Sequence, residues 1–195
     1  MLIAGVDEVG YGALVGDVVA AAVILPPDHG IKGIKDSKQL TATKREDLFE
    51  KICAKAVAWH IAAATHLEID KLNILHAALL AMRRAIIGLT VAPDKVLVDG
   101  NRCPDVPFLC EAIVQGDRTI EQISAASILA KVFRDRQMVD LDLKYPGFGF
   151  AQHKGYGTAM HLEAIQELGP IRQHRRSYAP IARALQELSE VETIL

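Results

Sequence analysis

From Leu2 to Leu25 the chain reads LIAGVDEVGYGALVGDVVAAAVIL, an apolar, strand-like run with two adjacent acids, Asp7 and Glu8, inside it. Few local patterns restrict a fold more. Neighbouring residues on a strand point to opposite faces, so Asp7 and Glu8 can serve one site only where the strand ends or bends. Gly10, Gly12 and Gly16 supply that bend. Glycine tolerates backbone angles closed to other residues and lets a ligand come close, so Val9 to Val15 reads as a loop that grips a polymer by main chain. A hairpin with two surface acids is the plain alternative.

With 195 residues, half of them apolar and 24% charged, the chain suits one substantial core. Charges and glycines interrupt the apolar runs before the ~20 residues of a membrane span, and no basic region precedes an apolar segment with a cleavage site. We therefore expect a soluble cytoplasmic protein without a membrane partner. Cys53, Cys103 and Cys110 are odd in number and lack C-x-x-C spacing, which argues for reduced, structural thiols. The net charge of −2 hides a basic C-terminal third. Between Gln152 and Arg183, Lys154, Arg172, Arg175, Arg176 and Arg183 face only Glu163 and Glu167, with His153, His161 and His174 nearby. Such a patch beside an acidic centre suits a polyanion held through metal ions, or it is a solvated helix and loop.

Further along, Thr43 and Glu46 have capping-box spacing ahead of an amphipathic helix over Arg45 to Val57, with a helix start at Thr41 or Thr43. Trp59 to Ala64 carries a period-two pattern for a strand. Asn73 to Gly88 reads as a second helix, with Leu75, Leu79, Met82 and Ile86 as its apolar stripe. KVLVDG delivers Asp99 to a strand end, and AIVQGD, from Ala112, repeats the device at Asp117. Any one strand-end acid is a common turn former. Together with Asp7, they would build a carboxylate cluster at the carboxyl ends of one sheet. A long helix runs from about Ile120 to Leu143, burying Ala125, Ile128, Leu129 and Val132. Ser124, Ser127, Lys131, Arg134 and Asp135 form an adjoining polar face, set near a site or on ordinary helix surface. Tyr145 to Thr158 is glycine- and aromatic-rich loop chemistry: aromatics beside His153 and Lys154 offer faces on which bases or sugars stack, whereas Phe148 and Phe150 are expected to make a small core. Thr158 to Leu168 and Tyr178 to Leu188 are the last helices.

The blocks GVDEVGYGALVG, DSKQL, LN, VDGN, QGD, SAASILAKVFRD, FAQHKGYGT and HRRSY, in order over nearly the whole chain, resemble the ribonuclease HII family. The resemblance implies an α/β, ribonuclease H-like fold: a mixed five-stranded sheet flanked by helices, with a small C-terminal helical portion over roughly 145–195. It implies Asp7, Glu8, Asp99 and Asp117 as catalytic acids and metal ligands. It also places the 2′-hydroxyl of a ribonucleotide on the loop Gly10, Tyr11 and Gly12, the next deoxyribose on Tyr156, and phosphate on Ser37 and Lys38. Lys154, with the basic C-terminal third, is expected to add backbone affinity, and Asn73 is a further candidate substrate contact. The family's GRG followed by proline is Gly10, Tyr11, Gly12 and Ala13 here, and Gln115 replaces the lysine of KGD, so weaker junction preference is expected.

Four carboxylates without Cys or His ligands fit Mg²⁺ or Mn²⁺, and two such ions ~3.5–4 Å apart can hydrolyse a phosphodiester. Asp7 is expected to bridge them, giving 5′-phosphate and 3′-hydroxyl ends. The expected partners are RNA/DNA hybrid and ribonucleotide-containing duplex DNA, bound by a monomer. No clamp-binding pattern stands out in the terminal SEVETIL, and no protein partner is implied. A different nuclease on the same fold and a non-catalytic hybrid binder are the competing readings.

Overall fold

A computed structural model describes residues 1–194, with side chains through Glu190; most of SEVETIL, and the reading of it, falls outside the described side chains. Strands β1 (Ile3–Val9), β2 (Val18–Ile24), β3 (Ala58–Ala64), β4 (Lys95–Asp99) and β5 (Leu109–Ile113) form one sheet in the order β3-β2-β1-β4-β5. β2 is antiparallel to both β1 and β3, whereas β1, β4 and β5 run parallel. This is the expected mixed five-stranded sheet. β2, VVAAAVI, is buried at every position because helices cover both faces of the sheet.

One face packs against α3 (Ile74–Ile87), which follows the short α2 (His66–Leu72). The other packs against α1 (Ala42–Lys55) and the long α5 (Glu121–Lys144), which follows the one-turn α4 (Gly116–Thr119). α5 lies almost on the β1 backbone. A Cβ at Gly5 would stand 2.1 Å from the carbonyl carbon of Gln122, so only glycine admits this approach, two residues before Asp7.

A third core joins Leu14, Val15 and Met138 to α6 (Phe150–His153), α7 (Ala159–Leu168) and α8 (Ala179–Ile194). Phe148 and Phe150 stack inside it with ring centroids 5.0 Å apart, the small core anticipated for that segment.

Several elements depart from their predicted form. The N-cap of α1 is Thr41, whose hydroxyl accepts from Lys44 N–H at 3.3 Å, so Thr43 and Glu46 make no capping box. The α2 helix is additional; a capping box of Thr65 and Glu68 starts it, and Asn73, at φ 66°, separates it from α3. Alanines 77, 78, 81 and 85, with Met82 and Ile86, face the sheet from α3, because small residues let the helix approach closely. The predicted Leu75 and Leu79 are only half-buried. β5 ends at Ile113, opposite Asp99, and Gln115, at φ 57° and ψ 36°, turns the chain into α4. Asp117 therefore stands on a helical turn, not at a strand end.

Candidate metal centre

The carboxyl ends of the parallel strands β1 and β4 and the turn after β5 converge at one end of the sheet. There Asp7, Asp99 and Asp117 each offer a carboxylate oxygen, all within 4.8 Å of one another. Asp7 is 6% exposed and Asp117 4%. Local hydrogen bonds hold the three acids in place. Asp7 Oδ1 accepts Glu8 N–H at 2.8 Å, Asp99 Oδ1 accepts Asp117 N–H at 3.3 Å, and Ser124 Oγ donates to the Asp117 carbonyl at 2.7 Å. Glu8 lies outside the triangle but just before the strand ends, where the chain turns. Its Oε2 is buried without a hydrogen-bond partner.

Burial, and then the charge of Glu8, push Asp7 well above the usual carboxylate range. Burial followed by Asp99 pushes Glu8 from 4.5 to about 7. Asp99 is raised as well, chiefly by burial. Carboxylates crowded like this resist ionising unless a cation joins them. One cation is present: Lys38 Nζ stands 3.5 Å from Asp117 Oδ2. Burial would lower its pKa, yet Asp117, Asp36 and Asp7 together raise it. The unsatisfied Glu8 oxygen and an all-oxygen donor set fit a hard divalent ion such as Mg²⁺ or Mn²⁺.

Lys38 is aimed by a turn that the sequence reading passed over. Buried Asp36 accepts Lys38 N–H at 2.9 Å, and Arg45 donates to the carbonyls of Ser37 and Leu40. An aspartate bonding the amide two residues on is a recognisable turn signal. The Ser37 hydroxyl lies 2.9 Å from Ser127 Oγ, and Ser127 in turn hydrogen-bonds Asp7. The polar face predicted on α5 thus splits. Ser124 and Ser127 support the acids, whereas Arg134 is wholly buried beneath the glycine loop.

In that loop Gly10 has φ 87°, and a Cβ there would lie 2.2 Å from Arg134 Nε. Gly16 also has positive φ, but Gly12 does not, and a Cβ on it would meet nothing within 4 Å; the bend therefore comes from Gly10 and Gly16. Tyr11 is 42% exposed. Leu14 N–H donates to the Gly155 carbonyl at 2.8 Å, and Ala13 pairs with Tyr156, so the two predicted substrate loops touch. Tyr156 is 37% exposed, with the Arg134 guanidinium 5.7 Å from its ring centroid. Lys154 Nζ donates to the Ala151 carbonyl, and the Lys154 carbonyl accepts from Arg134 at 2.8 Å. Asn73 Oδ1 caps α3 through His76 N–H at 3.2 Å.

The basic C-terminal third does not form one cationic surface. Arg172, Arg176 and Arg183 are exposed, but Arg175 is 0% exposed, and its donors are taken by carbonyls and a tyrosine hydroxyl rather than left for phosphate. His161 and His174 are buried too. Ile171 N–H donates to His174 Nδ1 at 2.8 Å, which leaves the His174 proton on Nε2. That proton faces His161 Nε2 at 3.0 Å, so His161 carries its own on Nδ1 and donates to the Tyr156 carbonyl at 3.0 Å. The pair is neutral and holds Tyr156 in place. Burial pushes both imidazoles down to about 4.

A family model described as Ribonuclease HII matches residues 4–181. A ribonuclease HII of Acinetobacter baylyi is 63% identical over 185 residues, covering 94% of this chain and 98% of that protein. Among solved structures, the ribonuclease H2 of Pyrococcus horikoshii OT3 superimposes with a TM-score of 0.82 at 28% identity, covering 97% of this chain and all of that one. Bst-RNase HIII, solved in complex with Mn²⁺, shares the fold at a TM-score of 0.75 and 19% identity, covering 97% and 71% of the two chains. Among the described residues, no helix is long and apolar enough to cross a membrane.

Proposed function

Because the chain belongs to the ribonuclease HII family, and so is a ribonuclease H endonuclease, we propose that it cuts the RNA strand of RNA/DNA hybrids and single ribonucleotides embedded in duplex DNA. The products carry 5′-phosphate and 3′-hydroxyl ends. The convergence of Asp7, Asp99 and Asp117 oxygens within 4.8 Å, beside the orphaned Glu8 oxygen, carries this reading. These four acids hold two divalent ions, Mg²⁺ or Mn²⁺. When bound, such ions supply charge neutralisation at phosphate, a lowered pKa for the attacking water and stabilisation of the leaving oxygen.

The chain's own residues position the substrate. Lys38, fixed by Asp36, meets the phosphate with its ammonium, and Ser37 and Ser127 orient Asp7. Main-chain donors at Gly10, Tyr11 and Gly12 read the 2′-hydroxyl, which distinguishes RNA from DNA. Tyr156 offers an exposed ring to the following sugar, with Lys154 and Asn73 as outer contacts. Residues 145–195 act as a substrate-binding portion of one catalytic domain, and the protein works as a monomer.

Labelled duplexes containing no, one or four ribonucleotides, assayed with Mg²⁺ and with Mn²⁺, test this reading. Cleavage is expected only where ribose is present and is abolished by EDTA. Cutting of plain DNA would identify a different nuclease, and hybrid binding that survives EDTA without any turnover would identify a binding module.

A further inference from the structure

Arg175 and Arg134 are both fully buried, and among the described residues neither forms a salt bridge with a carboxylate. An unpaired buried cation is costly, so its hydrogen-bond partners matter. Arg175 Nε donates to the Gly16 carbonyl at 2.9 Å, Nη1 to Tyr11 O at 3.0 Å, and Nη2 to Gly10 O at 2.7 Å and Asp17 O at 3.2 Å. One guanidinium thus gathers four carbonyls from both ends of a single loop. Tyr178 adds a second bond, its hydroxyl donating to Tyr11 O at 2.8 Å while accepting from Arg175 Nη1 at 3.1 Å.

A planar trans peptide points its C=O and the following N–H in opposite directions. Turning the Gly10 and Tyr11 carbonyls down onto Arg175 therefore turns the amides of Tyr11 and Gly12 up, away from the protein. Those amides have no hydrogen-bond partner among the described residues. The one glycine in this loop that needs neither positive φ nor internal room is Gly12, where an added Cβ would meet nothing within 4 Å. A buried positive charge on the carbonyl end of a peptide also polarises it and strengthens its N–H as a donor.

We propose that Arg175, seconded by Tyr178, is the positioning residue for ribonucleotide recognition: from beneath the loop it aims and polarises the Tyr11 and Gly12 amides at the 2′-hydroxyl and adjoining phosphate. Here Tyr11 brings no charge of its own, and Arg175 supplies it through the main chain. The inference rests on the substrate reading above.

Arg175→Lys keeps the charge but cannot span four carbonyls, and Tyr178→Phe removes one bond to the loop. For each variant, kcat and KM are measured on a duplex with one ribonucleotide and on a continuous hybrid. Competition between single-ribonucleotide and all-DNA duplexes is measured with Ca²⁺ replacing the catalytic ion, and melting temperature is followed in parallel. Ribonucleotide discrimination should fall about two- to tenfold in Tyr178→Phe and about ten- to a hundredfold in Arg175→Lys, mainly through KM. A merely structural role would lower stability or activity on all duplexes alike and leave the ratios fixed. Unchanged discrimination in Tyr178→Phe, or in an Arg175→Lys protein that still melts cooperatively, overturns the proposal. If the parent enzyme itself fails to discriminate, the substrate reading fails instead.

Discussion

Removing divalent ions should make the protein lose stability as pH rises, and Glu8 is one source of that loss. A carboxyl raised from 4.5 to about 7 favours the folded state fully below pH 4.5 and loses that contribution as pH climbs through 7, because the unfolded chain releases its proton first. The shift corresponds to up to roughly 3 kcal/mol. In a chain of this length that is on the order of 6–12 °C in melting temperature. Asp7 and Asp99 are raised too and act in the same direction. Urea unfolding in EDTA between about pH 5 and 8, for the parent and for Glu8→Gln, isolates what Glu8 contributes. The parent should lose stability relative to the variant as pH rises, and millimolar Mg²⁺ should restore more of it at pH 8 than at pH 5.5, since protons compete with the ion. Parallel curves for parent and variant in EDTA would refute the idea that Glu8 is held protonated in an ion-free cluster.

Asp99→Asn should lower turnover by about a thousandfold, roughly 4 kcal/mol, while melting in EDTA no lower than the parent; near-parental single-turnover rates would remove Asp99 from the metal cage. His161 and His174 sit near 4 when folded against 6.5 unfolded, so their stability contribution is intact above pH 6.5 and drains away as pH falls towards 4. His174→Asn should flatten that acid limb in a pH series of urea midpoints. Lys38→Ala should reduce the log–log salt slope of hybrid binding by about 0.9, and an unchanged slope would mean that Lys38 does not meet phosphate. Tyr11→Arg should speed cleavage at a single ribonucleotide more than on a continuous hybrid; equal rates to the parent on both would show that position 11 does not limit junction recognition.

Much of the centre was legible in sequence because strands encode direction. Asp7 and Glu8 near the end of an apolar strand, and Asp99 closing KVLVD, needed only the period of a strand and the tendency of strand ends to carry chemistry. The buried stripe of α5 followed equally from helical period, because Ala125, Ile128, Leu129 and Val132 all reach the core. Asp117 joins the carboxylate cluster, but from a helical turn and not from the strand end that its local pattern suggests. The β4–β5 register, and with it the early end of β5, is set by pairing across the sheet, which a local pattern does not contain.

Tertiary packing alone decided the meaning of Gly5, of the alanine face of α3 and of Arg175. Gly5 looks like any strand glycine until α5 is laid across it. Alanines carry little hydrophobic signal along a helix, yet they become the buried face where a sheet must come close. Arg175 counted as surface charge by sequence because a run of cations gives no sign of which one lies under a loop with four carbonyls turned inward. The chain's own order determined which residues carry charge and chemistry; only the fold determined which of those charges meet solvent, because burial is a property of contacts between segments far apart in sequence.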